Sequence, residues 1–330
     1  MNKPIRWGIL GFGRIAQKFA ADLRCTDNAS LFAIASRSRV NAATIAEQFP
    51  VTQVYDNYEA LVQNPAVDVV YIATPHGLHY EHVMLCLTHG KAVLCEKAFA
   101  LNAAQAKKMI ATAKVNKLFL MEALWSKFTP PYQKTMDMIR AGKLGEIRNV
   151  LINFGFIPQA PVADRIFSPV LGGGTLLDIG IYNVFYALSV LGKPDNIEAS
   201  MTPAASGVDE QCAVLFRYNN GAMAQLFSSF CTHLATEADI SGNKGRIRLT
   251  HRFYTPETTI AFYPGRADSK EEISVPKGNG FGYHYEAQHV GQCMLNGVTE
   301  SPVMTHADTI LLMETLDEIR KKAGITYPAD

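Results

Sequence analysis

The chain has 330 residues, 48% of them hydrophobic and 18% charged, with a formal net charge of +1. That length is enough for two domains with substantial cores, and the ordinary globular balance excludes a long disordered tail. The near-zero charge provides no global field for nucleic acid or an anionic membrane, which leaves small molecules and protein partners.

The six cysteines (25, 86, 95, 212, 231 and 293) include no C-x-x-C pair and no zinc-site spacing. They read as buried thiols of a reducing compartment. The first apolar run is broken by Arg14, Gln17 and Lys18, so it is neither a signal peptide nor a membrane span, and no other run approaches the roughly 18 apolar residues a span needs. The expectation is a soluble cytoplasmic protein.

Ile5 to Leu10 reads as a buried parallel strand and leads into Gly11-Phe-Gly13-Arg14-Ile15-Ala16, the G-x-G-x-x-A form of the dinucleotide fingerprint, followed by an amphipathic stretch to Leu23. Gly11 makes the tight turn, Gly13 admits the pyrophosphate, and Ala16 keeps helix and strand close. The pyrophosphate sits on the helix N-terminus with the Arg14 and Ile15 backbone. A second strand, Leu31 to Ala35, ends in Ser36-Arg37-Ser38-Arg39, where an NAD site wants an acid for the ribose hydroxyl. Ser36 and Arg37 instead suit a 2′-phosphate, which predicts NADP over NAD; solvated helix-start charges would give the same letters.

Further strands are expected at Val51 to Tyr55, Val67 to Ala73, Ala92 to Cys95 and Leu118 to Glu122, alternating with helices such as Glu81 to Thr88 and Ala103 to Val115. That alternation implies a doubly wound parallel sheet, with the ligand crevice outside the carboxyl ends of the strands. Two strand ends carry chemistry. One is Thr74-Pro-His76-Gly-Leu-His79, where His79 is read as an imidazole facing cofactor or substrate; no carboxylate or cysteine pattern completes a metal site, and none is expected. The other is Glu96-Lys97-Ala98. A lysine there lies beside the nicotinamide and lowers the pKa of a nearby hydroxyl, although a surface Glu and Lys after an edge strand would look the same.

In Gly172 to Asn183, GGGTLLDIGIYN, three glycines open a helix on which Asp178 and Tyr182 stand four apart and share a face. A buried helix with a capped Asp and a hydrogen-bonded Tyr fits the same letters. Taken in order, WGILGFGRIA, TPHGLH, CEKA, MEALWSKFTP and GGGTLLDIGIY resemble the glucose-fructose oxidoreductase/inositol dehydrogenase/MocA family, within it the dimeric dihydrodiol dehydrogenase and NADP-dependent D-xylose dehydrogenase branch. The resemblance implies that Lys97 is catalytic, that Asp178 and Tyr182 match the family's Asp and acid/base positions, that His79 contacts cofactor and substrate, and that Trp125 lines the active site. Ala98 departs from the proline usual in the family.

After Trp125 the pattern changes. A helix closes at Gly142, and strand-like runs follow at 147–157, 197–201, 212–218, 222–230, 237–241, 246–250 and 258–263, with hairpin signals at Tyr218-Asn-Asn-Gly221 and Gly242-Asn-Lys-Gly245. The expected architecture is an α/β N-terminal Rossmann domain over 1–123 and an α+β domain with a large, mainly antiparallel open sheet over 124–330. Residues 222–230 carry apolar side chains on both parities, so a second subunit is expected to cover the outer sheet face, giving a homodimer. His306 to Ala323 reads as a closing helix. Phe156 and Phe281 are candidate walls of a substrate pocket, though core packing is the commoner fate of such rings. The function expected is NADP-dependent hydride transfer to or from a sugar, cyclic polyol or dihydrodiol. A non-catalytic NADP(H)-binding regulator and an NAD-dependent glycosidase are the rivals.

Overall fold

A computed structural model describes residues 4–36, 48–265, 269–328 and 330. The chain divides into two compact units, Met1–Trp125 with Gly278–Ile310 and Ser126–Lys277 with Leu311–Asp330.

In the first unit the described elements are β1 (Ile5–Leu10), α1 (Arg14–Asp22), β2 (Ala29–Ala35), β3 (Gln53–Tyr55), α2 (Tyr58–Gln63), β4 (Val69–Ile72), α3 (His79–Thr88), β5 (Ala92–Glu96), α4 (Ala103–Asn116) and β6 (Leu120–Ala123). The six strands pair in parallel in the order β3-β2-β1-β4-β5-β6. Every residue of β4 and β5 is buried, because parallel strands covered on both faces need apolar side chains on both. The strand order reverses between β1 and β4, and such a switch point opens a crevice at the strand ends.

The second unit begins with α5 (Pro130–Arg140), β7 (Ile147–Gly155) and α6 (Val162–Ile166). A single π turn, Leu176–Gly180, then runs directly into α7 (Ile181–Leu191). Next come β8 (Asn196–Pro203), β9 (Asp209–Arg217), β10 (Met223–Ser229), β11 (Glu237–Gly242), β12 (Gly245–Thr250), β13 (Thr259–Pro264) and β14 (Glu271–Ile273). These strands form one sheet in the order β14-β13-β12-β11-β7-β10-β9-β8, antiparallel except for the β7–β10 pair. Alternation sorts its faces: Ile247 and Leu249 of β12 are buried, while Arg246 and Arg248 turn outward onto Asp239 and Glu237 of β11. On the inner face Val150 and Ile152 of β7 and Ala224 and Leu226 of β10 are buried, and α7 packs on these two strands.

The chain then returns to the first unit through α8 (Tyr283–Leu295), and α9 (His306–Ala323) closes the sequence. Helix α8 was not expected from the sequence, because its buried stripe includes the polar residues His284 and Glu286 alongside Tyr283, Ala287, Val290 and Cys293.

Gly174 sits at φ +107°, and a Cβ there would fall against Asp209 Oδ1. Gly174→Ala should therefore cost about 2 kcal/mol or more in denaturant unfolding, from backbone strain plus collision. Gly192→Ala, at φ +75° and ψ −163° with open space around it, should cost about 2 kcal/mol from backbone strain alone, without the collision.

Candidate active site

At the switch point, Gly11 stands at φ +85°, and a Cβ there would meet Thr74 Cγ2 at 2.7 Å. Only glycine lets the loop lie against the end of β4. Gly11 N–H donates to Ala35 O at 3.1 Å and Ala73 N–H to Leu10 O at 3.0 Å, which ties the loop to the ends of three strands. Gly13 occupies the N-cap of α1 without a side-chain cap, the first turn holds no acid, and a Cβ on Gly13 would meet nothing within 4 Å. Arg14 and Ile15 are exposed beside it. Uncapped N–H groups at a positive helix end, with room in front of them, fit the pyrophosphate of a dinucleotide. Ser36 follows β2, buried, its N–H on Tyr55 O at 3.0 Å. Arg37 and Arg39 lie outside the described residues.

Thr74, His76 and His79 gather after β4. Thr74 Oγ1 meets His82 Nδ1 at 2.9 Å, and the His76 and His79 rings are 5.7 Å apart. His79 is fully buried, with Nε2 2.7 Å from Thr74 O and Nδ1 2.8 Å from Ala98 O. Both ring nitrogens face backbone carbonyls, so the side chain braces the segment after β4 against the segment after β5, a neutral ring donating its single N–H to one of the two. Burial, opposed by the two carbonyls, pushes its pKa down to about 4, which keeps the brace neutral at physiological pH.

Glu96 ends β5. Its Oε1 accepts the Tyr71 hydroxyl and its Oε2 accepts the Lys97 N–H at 3.2 Å, so the backbone that carries Lys97 is tied to a buried carboxylate. The Lys97–Ala98 peptide is cis. Glu286 of α8 is fully buried, and burial, with Glu96 and Asp22 nearby, pushes its pKa well above the usual carboxylate range. Trp125 stacks on Tyr283, with ring centroids 4.6 Å apart at 13°. Phe281 is 46% exposed. It is anchored on α1, its N–H on Asp22 Oδ1 at 2.8 Å and its ring 5.2 Å from Lys18 Nζ.

In the second unit, Asp178 lies within the π turn and Tyr182 one residue into α7, both nearly buried. Arg165 of α6 donates from Nη2 to Asp178 Oδ1 at 3.1 Å. Tyr182 stacks on Tyr254 at 4.6 Å and 28°, and Tyr254 stacks in turn on Phe154 at 4.8 Å and 21°. Burial raises the Tyr254 pKa and Asp178 adds to the shift, so acid and phenol converge on the same neighbour. Phe156 packs on Phe154 and Phe230 at the edge of this aromatic cluster. Such a face accepts a ring, and Asp178 with Arg165 gives it polar contacts.

Two family models match the chain: the oxidoreductase family, NAD-binding Rossmann fold, over residues 5–124, and the GFO/IDH/MocA C-terminal domain over residues 132–248. The chain belongs to the GFO/IDH/MocA oxidoreductase family. It is 36% identical to the trans-1,2-dihydrobenzene-1,2-diol dehydrogenase of Homo sapiens over 99% of both chains, and 35% identical to that of Xenopus tropicalis over 98% of this chain and 99% of the other. The structure of KijD10, a 3-ketoreductase from Actinomadura kijaniata in complex with NADP and TDP-benzene, superposes with a TM-score of 0.87 at 28% identity, covering 97% of this chain and 98% of that one. This GFO/IDH/MocA member is an NAD(P)-dependent dehydrogenase. Among the described residues no helix is long and apolar enough to cross a membrane.

Sequence reasoning missed Arg165, Tyr254, Tyr71 and Glu286. None belongs to a spaced motif; in the second unit Tyr254 comes from the turn after β12, and in the first Glu286 comes from the returning helix α8. The pH dependence of stability follows from His79. Its folded pKa of about 4 lies below the ordinary 6.5. Its contribution, on the order of 3 kcal/mol, is therefore full above pH 6.5 and is lost as the pH falls toward 4. His79→Gln should flatten the wild-type slope of unfolding free energy between those values, measured by urea titration at half-unit pH steps.

Proposed function

We propose that this dehydrogenase moves hydride between NADP(H) and a carbinol carbon of a sugar, cyclic polyol or trans-dihydrodiol, with Tyr182 as acid/base assisted by Lys97. The observation that carries the reading is the pairing of Asp178 and Tyr182 beside the Tyr254–Phe154 aromatic face, in a chain that also presents Lys97 at the end of β5. When bound, the nicotinamide supplies the hydride acceptor or donor at C4. The Gly11–Ile15 loop holds the pyrophosphate, while Ser36, Thr74 and His76 line the strand ends that receive the rest of the cofactor.

In the oxidative direction Tyr182 takes the hydroxyl proton as the carbon–hydrogen bond breaks, since hydride leaves only as the oxygen becomes carbonyl-like. A tyrosine at its ordinary pKa of about 10 is a poor base at neutral pH, so a cation is required, and Lys97 supplies it. Asp178, held by Arg165, orients the substrate hydroxyl. Trp125 and Phe156 wall the ring of the substrate, and His79 acts by positioning the segments around Thr74 and Ala98. The name of the human relative supports the dihydrodiol arm of the substrate class. Ser36 and Arg37, in the place of an acid, support NADP over NAD.

The outer sheet face supports a homodimer. Leu151 and Met223 are 38% and 41% exposed there, and with Leu215 and Phe227 they border a hollow of about 730 Å³. Exposed apolar side chains on a sheet face, beside Asn153, Ser200 and Gln225, favour a second copy. Unpaired cysteines in every described position favour a reducing, cytoplasmic setting.

Tyr182→Phe should lower turnover by about 10²–10⁴-fold while leaving NADP(H) affinity within about twofold. Absorbance at the nicotinamide band with NADP⁺ and a panel of aldoses, cyclitols and dihydrodiols reads both, and near-normal turnover would overturn the assignment. Equal kcat/KM with NAD⁺ and NADP⁺ would remove the cofactor preference, and a monomer in sedimentation would remove the dimer.

A further inference from the structure

The segment bearing Asp178 and Tyr182 is held at its start by a residue 33 positions downstream of Leu176. Asp209, the first residue of β9, is fully buried, and its Oδ2 accepts both the Thr175 hydroxyl and the Leu176 N–H at 2.7 Å. Leu176 opens the π turn, so its N–H is one of the donors a helix start leaves without an intrahelical partner. Thr175 stands at the N-cap yet makes no cap of its own; its hydroxyl is spent on Asp209 and accepts a bond from Ser228 Oγ at 3.1 Å. Gly174 leaves room for Asp209 Oδ1, and Tyr327 Oη donates to Gly173 O at 2.6 Å. The GGGT turn is thereby fastened from β9, from β10 and from the C-terminal tail.

We propose that Asp209 is a positioning residue for the reaction, a remote carboxylate cap whose charge sets how firmly the Asp178–Tyr182 segment is held. The catalytic part of this inference rests on the roles given to Asp178 and Tyr182 above. A carboxylate accepts two short bonds more strongly than its neutral acid does. Burial, opposed by the Thr175 and Leu176 donors, pushes Asp209 up to about 6. The titratable groups facing it are Tyr327 from the tail and Cys212 on its own strand, both pushed up by burial, with Arg320 and Asp330 beside Tyr327. When the segment opens while Asp209 stays buried, the carboxylate loses the Thr175 and Leu176 donors that hold its pKa down, so closing favours the charged form and the fastening slackens as the pH falls from 7 to 5.

Hydrogen exchange of the full chain at pH 8 and pH 5, corrected for intrinsic rates, tests the fastening without substrate. In the wild type, exchange across Leu176–Tyr182 should rise about tenfold at the lower pH, with β12 and β13 unchanged as the internal reference. Asp209→Asn should exchange fast at both pH values, lower kcat about tenfold at pH 8 without changing KM for NADP⁺, and flatten the acid limb of the kcat profile near pH 6. Thr175→Val should act in the same direction, and Thr175→Ser should restore wild-type behaviour. If Asp209→Asn and Thr175→Val exchange like the wild type at both pH values, the proposal is overturned. Fast exchange with unaltered kcat would overturn the positioning role, whereas near-normal turnover of Tyr182→Phe would remove the catalytic reading on which it rests.

Discussion

A helix that begins inside a protein leaves its first N–H groups without partners, and each must find an acceptor where there is no water. In both units a buried aspartate from a distant part of the chain supplies one. Asp209 takes the Leu176 N–H and the Thr175 hydroxyl in the second unit. In the first, Asp22 at the end of α1 takes the N–H groups of Gly282 and Tyr283 at 2.8 Å and of Phe281 on its other oxygen. These long-range caps replace the local Ser, Thr or Asn that ordinarily starts a helix. They decide where the returning helix α8 and the Asp178–Tyr182 segment begin, and so where their side chains point.

The long-range character of these bonds explains what could be read from the sequence. Strands β1, β4 and β5 are short apolar runs, and the Gly11–Ala16 loop is a local pattern with a local cause, so the sheet and its crevice are visible in the letters. The hairpin turns at Gly221 and Gly242–Gly245 are legible for the same reason, since the turn chemistry lies within four residues. Lys97, Asp178 and Tyr182 stand in motifs and were named. Asp209 and Glu286 were not, because a buried acid has no sequence signature until its partners are known. Helix α8 was hidden by the same effect: Glu286 and His284 occupy core positions that a hydrophobic pattern must treat as surface. Residues 278–310 rejoin the first unit, and the element that makes this return is the one the periodicity does not show.

His79 illustrates a different gap. A histidine after a Thr-Pro turn at the ligand end of a parallel sheet invites a chemical role, and the letters do not distinguish a ring that faces the crevice from one that spans two backbone segments beneath it. Its nitrogens lie 2.7 and 2.8 Å from two backbone carbonyls, and a neutral ring donates to only one of them. Sequence names a residue type at a strand end; only packing says which side of the backbone it serves.

Burial also constrains the proposed chemistry. Desolvation raises Tyr71, Tyr254 and Glu286, so the interiors of both units favour neutral side chains. In the second unit burial raises Tyr254, the ring stacked on Tyr182; Arg252 opposes that shift, while Asp178, which Arg165 pairs, and Glu257 add to it. Bringing a tyrosine from about 10 to a useful value near 7 takes about 4 kcal/mol of favourable interaction with the ionised form. A cation close to the phenol in a dry site can supply that, whereas aromatic neighbours and a carboxylate cannot. Base catalysis by a tyrosine therefore depends on a positive charge near the phenol, the role that the proposed mechanism gives to Lys97.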